Sequence, residues 1–386
     1  MHKKKVSILI TAITVGGAER VVLTLIQNLK QDVELNLVLL QNIIELKMPD
    51  GVKIHFLNSV NRSEMGIVKI LKLPILAYRY SRLCRENKID ISISFLSRAH
   101  YVNCMSRLFG YKQKIIICER TYVSEYFKSM NSVTRSIQRI ILKKLYPKAN
   151  LIIPNSLLSE IDLKENFKIK TEFKVINNPI DLKTINQLAS ENVNNFLFDD
   201  FTFIHVAVMR AEKNYDLLID AFYLIKDLKC KLLLLGKGEM ETVIRKKIKQ
   251  LDLEMRVSLL GRDTNPYKYL AKANCFVLSS NFEGFPNVIL ESLACKLPVI
   301  STDCKSGPRE ILAPGTNIRF THKDNIELAR YGVLVPVNNS KLMAKAMRLL
   351  YEDQEIRKEY KNRSLERAEN YNLNDIVDQF RKVLQS

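Results

Sequence analysis

Two glutamates, Glu283 and Glu291, stand eight positions apart in the segment Ser280–Thr302, which reads SNFEGFPNVILESLACKLPVIST. An apolar strand is predicted to end at Ser280. Pro286 suits the first position of the helix that follows, because its fixed φ and missing N–H cost nothing there. Glu283 is therefore expected in the loop at the carboxyl end of a strand. Glu291 is expected more than one turn inside the helix, directed at the same crevice.

The start of this helix could bind an anion. The unpaired backbone N–H groups of Asn287 and Val288, together with the partial positive charge of the helix end, suit a phosphate. Glu291 could accept hydrogen bonds from the two hydroxyls of a ribose, and Glu283 could hold a sugar hydroxyl. These groups together suit a nucleotide sugar, with its diphosphate between two carboxylates. The alternative is a solvated Glu283 and a Glu291 on the helix surface.

The composition is typical of a globular protein with two domains. The chain has 386 residues, of which 47% are hydrophobic, so it is too long for one ordinary core and too apolar to be disordered. Its formal charge of +19 favours acidic partners such as nucleic acid, anionic lipid or phosphorylated substrates. The seven cysteines show no C-x-x-C spacing, which predicts reduced thiols in the core.

The opening MHKKKVSILITAITV has the charged and apolar parts of a signal peptide. It lacks a convincing small-residue cleavage site and continues into GGAERVVLTLIQNLK, a turn and an amphipathic helix, so we interpret it as a first strand. Lys and Arg interrupt every candidate run of about 18 apolar residues, so no membrane-spanning helix is expected.

Strand patterns alternate with helical patterns along the chain, which predicts an α/β fold of parallel sheets with helices on both faces. Ligands of such sheets bind beyond the carboxyl ends of the strands. We predict a first domain over residues 1–180, a linker over the Asn-rich residues 181–200, a second domain over 201–360, and terminal helices over 361–386 that could pack on the first domain. The predicted strands are KVSILITAI, ELNLVLLQ, VKIHFL, IDISISFL, KIIICER, ANLIIPNS, FTFIHVAVM, KLLLLG, RVSLLG, ANCFVLSS, KLPVIST and YGVLVPV.

The sequence EGFPNVILE resembles the E-x₇-E motif of the retaining glycosyltransferases of family 4, and the resemblance extends over essentially the whole chain. It implies the GT-B fold, two tandem Rossmann-like doubly wound domains facing across a cleft. It also implies that Glu283 is catalytic and contacts the donor sugar, that Glu291 binds the ribose, and that Phe285, Asn287 and Val288 belong to the donor site.

Two further loops resemble the family. Gly16 and Gly17 correspond to a glycine-rich loop beside the donor phosphates and the acceptor, where glycine lets the backbone approach a ligand; the alternative is an ordinary tight turn. VAVMRAEKNYDLLIDAF resembles G-R-L-x-x-x-K-N, whose cations neutralise the diphosphate, and Arg210 and Lys213 fit those roles. The family usually has two more residues between these cations, so a shortened loop is expected; the alternative is a solvated pair.

In the segment ICERTYVSEY, many relatives carry a histidine near the reaction centre, and Arg120 occupies the corresponding place. Glu119 is then the candidate for a catalytic contact with the acceptor. The alternative is a charged residue that simply closes a strand.

Other glycine-containing segments belong to the second half of the chain. Gly236, in LLGKGEM, lacks the third glycine of a dinucleotide site, and the resemblance places it in a donor-domain loop. Gly307 and Glu310, in SGPREI, either close the nucleotide site or turn the chain. Residues 313–331 form a stretch longer than relatives need, and we assign it no role.

The expected chemistry needs no metal and no cofactor. There is no convincing D-x-D after an apolar strand, and the five histidines are dispersed. Arg210, Lys213 and the start of the helix at Asn287 would stabilise the leaving diphosphate electrostatically in place of a metal ion. The resemblance implies retention of anomeric configuration by front-face attack, with the leaving phosphate taking the acceptor's proton.

Two basic amphipathic segments, GIVKILKLPILAYRYSRLCRENK and SVTRSIQRIILKKLYPK, suit the surface of an anionic membrane. The alternative is a pair of ordinary helices whose apolar stripes pack on the sheet, and both interpretations can apply to one helix. The segments LKLPILAYRYSRLCRENKID, LYPKANLIIPNS and NPYKYLAKA resemble family members that extend undecaprenyl diphosphate-linked glycans. This resemblance implies a UDP-N-acetylgalactosamine donor, a polyprenyl diphosphate-linked glycan acceptor, and a peripheral location on the cytoplasmic face of the plasma membrane.

Three other functions are alternatives. A glycosyltransferase of lipopolysaccharide, O-antigen or capsule synthesis would use the same site with another UDP-hexose. A nucleotide-sugar epimerase would isomerise the donor without an acceptor. A nucleic-acid-binding protein would use the positive charge, but no such module is recognisable and Glu283 and Glu291 would be unexplained.

Overall fold

The strands predicted in the first part of the chain form one sheet. The structure is a computed structural model that describes residues 3–57 and 66–385, and the first of its two units comprises Met1–Pro179 and Asn374–Ser386. The strands described in this unit are β1 (Lys5–Ile10), β2 (Glu34–Leu39), β3 (Lys53–Phe56), β4 (Ile91–Phe95), β5 (Lys114–Glu119) and β6 (Leu151–Pro154). They pair in parallel in the order β3-β2-β1-β4-β5-β6. The opening segment is therefore a central strand of this sheet.

Helices connect these strands, and their apolar stripes pack on the sheet. In the helix after β1, the periodic residues Val22, Leu25, Ile26 and Leu29 are buried, as the spacing predicts. The helices of this unit up to residue 179 are α1 (Gly17–Leu29), α2 (Gly66–Leu71), α3 (Leu73–Glu86), α4 (Ser97–Ser106), α5 (Val123–Lys128), α6 (Ser132–Leu145) and α7 (Leu157–Asn166).

The second unit, Ile180–Leu373, repeats the alternation of strands and helices. Its elements are α8 (Leu182–Ala189), β7 (Phe201–Val206), α9 (Tyr215–Tyr223), β8 (Cys230–Leu235), α10 (Glu241–Gln250), β9 (Val257–Gly261), α11 (Tyr267–Leu270), β10 (Cys275–Leu278), α12 (Asn287–Ala294), β11 (Val299–Thr302), α13 (Pro308–Leu312), β12 (Glu327–Ala329), β13 (Gly332–Val335), α14 (Ser340–Glu352) and α15 (Gln354–Glu369). The strand order is β12-β13-β11-β10-β7-β8-β9. The edge strand β12 is antiparallel to β13, and the other neighbours are parallel.

The second sheet is covered on both faces. Leu232 and Leu234 of β8 belong to one hydrophobic cluster, whereas Leu233 and Leu235 belong to another. Because successive side chains of a strand point to opposite faces, helices must cover both sides of the sheet. This burial explains the nearly continuous apolar run KLLLL, which is typical of parallel strands.

The predicted linker over residues 181–200 is wrong in its first half. Residues 182–189 form α8, and Ile180 onward belongs to the second unit. Asp181 caps this helix by accepting a hydrogen bond from Thr184 N at 3.0 Å, and Ile185 is buried in the core. The Asn-rich residues after this helix led the prediction to extend the linker over it, although the helix is amphipathic and has its own N-cap.

The terminal helices predicted over residues 361–386 are divided between the units. α15 ends at Glu369 within the second unit, whereas the last helix, α16 (Leu373–Gln385), belongs to the first unit from Asn374 onward. Arg381 Nε donates to Asp32 Oδ2 at 2.9 Å, and the guanidinium of Arg120 lies over the ring of Phe380 at 6.0 Å. The first unit is thus assembled from both ends of the described chain.

Residues 313–331, which had no predicted role, are held by a buried arginine. Arg309 Nη2 donates to Asp303 Oδ2 at 2.5 Å and to Glu327 Oε2 at 2.7 Å. Glu327 begins the edge strand β12, and His322 Nε2 lies 3.2 Å from its Oε2. The long segment therefore returns to the sheet through this ion-pair network, and β12 is the strand that the sequence analysis missed.

Replacing Arg309 by Leu should destabilise the protein strongly. Removing one partner of a buried ion pair leaves an uncompensated charge and costs about 3–5 kcal/mol, and here two carboxylates lose their shared cation. Urea denaturation would measure the loss. As a control, Arg348→Leu removes a cation from the exposed pairs with Asp227 and Glu352 and should change the free energy of unfolding little. Equal effects of the two substitutions would contradict the importance of the network.

Candidate active site

Loops from several parallel strands of the second unit converge at the carboxyl edge of its sheet. β7 and β11 are the neighbours of β10, so the loops that follow these three strands lie side by side. They contain residues 207–214, 279–286 and 303–307. Such an edge is where doubly wound sheets bind ligands, and Glu283 and Lys213 both lie in these loops.

Lys213 and Glu283 form an ion pair. Lys213 Nζ lies 2.6 Å from Glu283 Oε1, and both side chains are mostly buried. Ser280 Oγ donates to the same carboxylate oxygen at 2.6 Å. The cation that the resemblance assigned to the diphosphate is thus in direct contact with the carboxylate assigned to the sugar, although the two residues lie 70 positions apart.

Hydrogen bonds join the loop that carries Lys213 to the loop that carries Glu283. Ser279 Oγ donates to the carbonyl oxygen of Lys213 at 2.8 Å, and Asn281 N donates to the carbonyl oxygen of Glu212 at 2.8 Å. Asn214 Nδ2 donates to Asn281 Oδ1 at 2.8 Å. These contacts hold the backbone on both sides of the ion pair.

The loop after β11 closes on the other side of Glu283. Glu283 N donates to the carbonyl oxygen of Lys305 at 2.6 Å, and Ser306 Oγ donates to the carbonyl oxygen of Gly284 at 2.6 Å. Gly307 has φ = 95°, and a Cβ there would lie 2.6 Å from Pro286 Cδ. A side chain is therefore incompatible with both the backbone conformation and the close packing at Gly307. Of the two roles weighed for this glycine, turning the chain is the one the contacts explain.

Glu291 lies inside α12, as the sequence predicts. Its carboxylate is mostly buried, and Tyr267 Oη donates to Oε1 at 3.3 Å. Asn287 and Val288 are the first two residues of the helix. Pro286 was predicted at the first helical position and is instead the N-cap, so the helix begins one residue later than predicted. Two carboxylates and one helix start are thereby placed in a single strand–loop–helix segment.

Three other predicted donor residues are placed differently. Phe285 has a buried side chain that packs edge-on against Tyr371, with ring centroids 5.4 Å apart; this side chain belongs to the core, and its predicted place in the donor site stays a prediction. Arg210 is exposed, and its Nη1 lies 3.9 Å from Glu212 Oε1. Gly236 has φ = 150°, and a Cβ there would lie 1.8 Å from the carbonyl oxygen of Ala207. The packing of two neighbouring loops accounts for this glycine.

Gly16 and Gly17 lie at the start of α1 in the first unit. Gly16 is the N-cap residue and Gly17 is the first helical residue. Thr14 Oγ1 donates to Glu19 Oε1 at 2.8 Å across this turn. The glycines therefore form the strand-to-helix turn that was the alternative interpretation, and their predicted contact with phosphates stays a prediction.

Glu119 is buried, and its carboxylate is occupied by internal partners. Oε1 accepts hydrogen bonds from Arg120 N at 3.0 Å and Thr121 N at 3.1 Å, and Oε2 accepts one from Tyr146 Oη at 2.6 Å. Burial raises the pKa of the Glu119 carboxyl to about 7, against these hydrogen bonds, which lower it. The geometry supports the alternative interpretation, in which Glu119 closes β5, over a contact with the acceptor.

Arg120 is buried beside Glu119. Its Nη1 donates to the carbonyl oxygen of Ile176 at 3.2 Å and to Asn178 Oδ1 at 3.1 Å. Its guanidinium lies over the ring of Phe95 at 5.4 Å. Arg120 therefore ties the end of β5 to residues 176–178, just before the chain enters the second unit.

Sequence reasoning missed Ser280, Tyr267 and Asn214 as members of the site. Ser280 and Tyr267 contact the two motif glutamates through their hydroxyl groups, and Asn214 joins two of the loops. Of these three residues, only Asn214 could have been found from the sequence, because it follows Lys213 in the K-N pair of the family stretch. Among the described residues, no group of three His, Cys, Asp or Glu side chains could hold a metal ion; the metal-independent reaction stays a prediction.

Comparison with known proteins shows the family to which the chain belongs. Residues 15–184 match the family described as Glycosyltransferase Family 4, and residues 187–367 match Glycosyl transferases group 1. The chain belongs to this family of glycosyltransferases, as the E-x₇-E motif predicted.

One relative is much more similar than family membership requires. The chain is 40% identical over 367 residues, 95% of each protein, to the N-acetylgalactosamine-N,N'-diacetylbacillosaminyl-diphospho-undecaprenol 4-alpha-N-acetylgalactosaminyltransferase of Campylobacter jejuni. A second enzyme of the same organism, GalNAc-alpha-(1->4)-GalNAc-alpha-(1->3)-diNAcBac-PP-undecaprenol alpha-1,4-N-acetyl-D-galactosaminyltransferase, is 25% identical over 98% of each chain.

Solved structures share the fold. Sucrose-phosphate synthase from Thermosynechococcus elongatus superposes with a TM-score of 0.83 at 16% identity, covering 99% of this chain and 98% of that one. HepE from Anabaena in complex with UDP gives a TM-score of 0.73 at 18% identity, covering 99% of both chains. The predicted GT-B class, with two parallel-sheet α/β domains, is confirmed.

Glu119→Gln should remove one opposing contribution to the pH dependence of stability. The folded pKa of about 7 lies above the ordinary value of 4.5, so the folded protein holds a proton that the unfolded chain releases. The wild type therefore loses stability as pH rises from about 4.5 to about 7, whereas glutamine does not titrate. The difference in the free energy of unfolding, variant minus wild type, should rise by about 3 kcal/mol over this window.

Urea denaturation of both proteins at closely spaced pH values measures this difference. Burial lowers the pKa of His100 to about 3 and that of His205 to about 4, so these residues add stability as pH rises. Both proteins contain them, and the comparison removes most of their effect. A difference that stays constant from pH 4.5 to pH 8 would show that Glu119 is not held in its protonated form.

Proposed function

We propose that the protein transfers N-acetylgalactosamine from UDP-N-acetylgalactosamine to an undecaprenyl diphosphate-linked glycan, with retention of anomeric configuration. The observation that carries the proposal is the contact between Lys213 and Glu283 at the carboxyl edge of the second sheet, beside a helix that contains Glu291. The identity of donor and acceptor is supported by the name of the relative that is 40% identical over 95% of both chains.

The donor would lie across the loops of the second unit. Glu291, oriented by Tyr267, accepts hydrogen bonds from the ribose hydroxyls. The backbone N–H groups at the start of α12 face the diphosphate, where the helix end carries partial positive charge. Glu283 accepts a hydrogen bond from a hydroxyl of the transferred sugar.

Catalysis would come from stabilising the leaving group. As the bond between the anomeric carbon and the phosphate oxygen breaks, negative charge grows on UDP, and fixed donors aimed at that charge lower the barrier. Lys213 is the cation held next to the sugar-binding carboxylate. The acceptor hydroxyl oxygen forms the new bond to the anomeric carbon from the same face, and its proton passes to the departing phosphate oxygen. The products are the extended glycan and UDP.

The acceptor contact would not come from the carboxylate of Glu119. Both of its oxygens accept hydrogen bonds from within the first unit. A proton passed directly to the leaving phosphate requires no side-chain base, so the chemistry does not need Glu119 in that role.

A transfer assay tests the proposal. Purified protein is incubated with UDP-N-acetylgalactosamine, other UDP-sugars, undecaprenyl diphosphate-linked glycans and a chelator. We expect transfer from UDP-N-acetylgalactosamine in the presence of the chelator. Preference for another UDP-hexose would favour lipopolysaccharide, O-antigen or capsule synthesis, and isomerisation of the donor without acceptor would favour an epimerase.

Substitutions of the ion pair make the assay specific for this site. Glu283→Gln and Lys213→Met should each lower kcat by about 10²-fold or more, as does loss of a donor to developing charge in other enzymes. The matched control Lys231→Met removes a lysine that pairs with Asp199 at 2.5 Å elsewhere in the second unit, and it should leave kcat unchanged. Full activity of Glu283→Gln would contradict the assignment of the sugar contact.

We further propose that the first unit docks on an anionic membrane through α3. Ile75 and Tyr78 lie on this helix and are 56% and 55% exposed. Leu71, the last residue of α2, precedes them at helical spacing and is 71% exposed. Arg79 and Arg82 are exposed beside them. The opposite face of α3 is buried in the sheet's core, so both interpretations of this segment apply to one helix.

Exposed apolar residues next to arginines suit the boundary between lipid headgroups and acyl chains. α6 has a similar composition, with Val133 and Ile140 exposed near Lys143 and Lys144. Across residues 3–57 and 66–385, each helix is too short or too polar to cross a bilayer. Peripheral binding at the cytoplasmic face would hold the enzyme at the membrane that contains the lipid of its acceptor.

Ile75→Glu combined with Tyr78→Glu should weaken binding to vesicles that contain anionic lipid. The change removes apolar area and adds two negative charges, and each charge near such a surface is worth about 1 kcal/mol. Co-sedimentation with phosphatidylglycerol vesicles at two salt concentrations measures the effect. Met255→Glu, at a site that is 90% exposed in the second unit, is the matched control. Equal binding of all variants would exclude α3 as the docking surface.

A further inference from the structure

Ser280 is a buried serine whose hydroxyl contacts the carboxylate of Glu283. The residue follows β10 and has no exposed surface. Its Oγ lies 2.6 Å from Glu283 Oε1. An ionised carboxylate only accepts hydrogen bonds, so the serine hydroxyl must donate its proton to this oxygen. The direction of the hydrogen bond is therefore determined.

The two donors to Glu283 converge on one oxygen. Oε1 accepts from Lys213 Nζ as well as from Ser280 Oγ, both at 2.6 Å. Among residues 3–57 and 66–385, Oε2 accepts no hydrogen bond and forms no ion pair. The carboxylate is thus turned so that its second oxygen keeps its lone pairs available.

Ser280 is held more rigidly than Lys213. The carbonyl oxygen of Ser280 accepts a hydrogen bond from Thr302 Oγ1 at 2.6 Å, and Thr302 is also buried. The serine hydroxyl has one rotatable bond from a fixed backbone, whereas the lysine ammonium ends a long side chain with several. When the ammonium turns toward a negatively charged diphosphate, Ser280 remains the donor that restrains Glu283.

We propose that Ser280 is a positioning residue that presents Oε2 of Glu283 to the sugar of the donor. This inference rests on the proposed function, because it assumes a sugar nucleotide in the site. Lys213 is then free to follow the charge on the diphosphate while the carboxylate stays in place. Since Oε2 can only accept, the group of the sugar that meets it must be a hydroxyl or an amide N–H, and not the acetyl oxygen.

Ser280→Ala should weaken recognition of the sugar while leaving recognition of UDP unchanged. Loss of a hydrogen bond to a charged group changes an equilibrium constant about 10- to 100-fold. We therefore expect kcat/KM for the UDP-sugar to fall by a similar factor. The affinity for UDP alone, measured by calorimetry without acceptor, should stay within about twofold of wild type, because in the proposed site Glu283 contacts the sugar and not UDP. Ser301→Ala is the matched control, since Ser301 is equally buried and its hydroxyl bonds the neighbouring Thr302 carbonyl at 2.9 Å.

A double-mutant cycle distinguishes positioning from a general structural role. The affinities for UDP-N-acetylgalactosamine and for UDP are compared in Ser280→Ala, Glu283→Gln and the double variant. Residues that act through one contact give non-additive effects, so Ser280→Ala should add nothing once Glu283 is replaced. Thermal unfolding and the affinity for UDP show whether each variant is folded.

The outcomes separate this inference from the proposed function. Wild-type kinetics in Ser280→Ala, additive effects in the cycle, or an equal loss of affinity for UDP would each overturn the positioning role while the transferase assignment stands. Transfer of no sugar by the wild type, with UDP-sugars bound as predicted, would reject the proposed function alone. Failure of the wild type to distinguish any UDP-sugar from UDP would overturn both.

Discussion

The ion pair between Lys213 and Glu283 is the contact on which the organisation of the second unit's site depends. The two residues follow β7 and β10, which are neighbours in the sheet, and their charges meet 2.6 Å apart where water is largely excluded. Each charge in such a place needs the other, because an unpaired buried charge is costly. The loops are therefore fixed relative to one another before a ligand arrives.

The local part of this arrangement could be predicted from the sequence. Glu283 and Glu291 belong to one strand–loop–helix segment, and a strand end, a proline and a helical stripe are short-range signals. The alternation of strands and helices likewise indicated parallel sheets. The partner of Glu283 could not be predicted, because Lys213 is 70 positions away and reaches it only through the spatial order of the strands. Strand order is decided by packing of the whole sheet and leaves no mark near either residue.

Other failures have the same origin. Glu119 was expected at the reaction centre because it precedes Arg120, which stands where relatives carry a histidine. Its side chain instead accepts a hydrogen bond from Tyr146, which follows α6, and a position in a motif does not tell where a side chain points. α8 was overlooked because polar residues after it masked its short apolar stripe. β12 has three residues, and its place at the sheet depends on Arg309, whose two carboxylate partners lie on different segments.

The return of α16 to the first unit bears on how the protein is made. Ile376, Val377 and Phe380 are buried in a helix that the ribosome produces only after the entire second unit. Until then, the first unit exposes the surface that these side chains later cover, although its six-stranded sheet is already synthesised. Long-range closure of this kind delays completion and leaves apolar surface open in the interval. Chaperones that bind exposed apolar surface would therefore bind the first unit of the nascent chain.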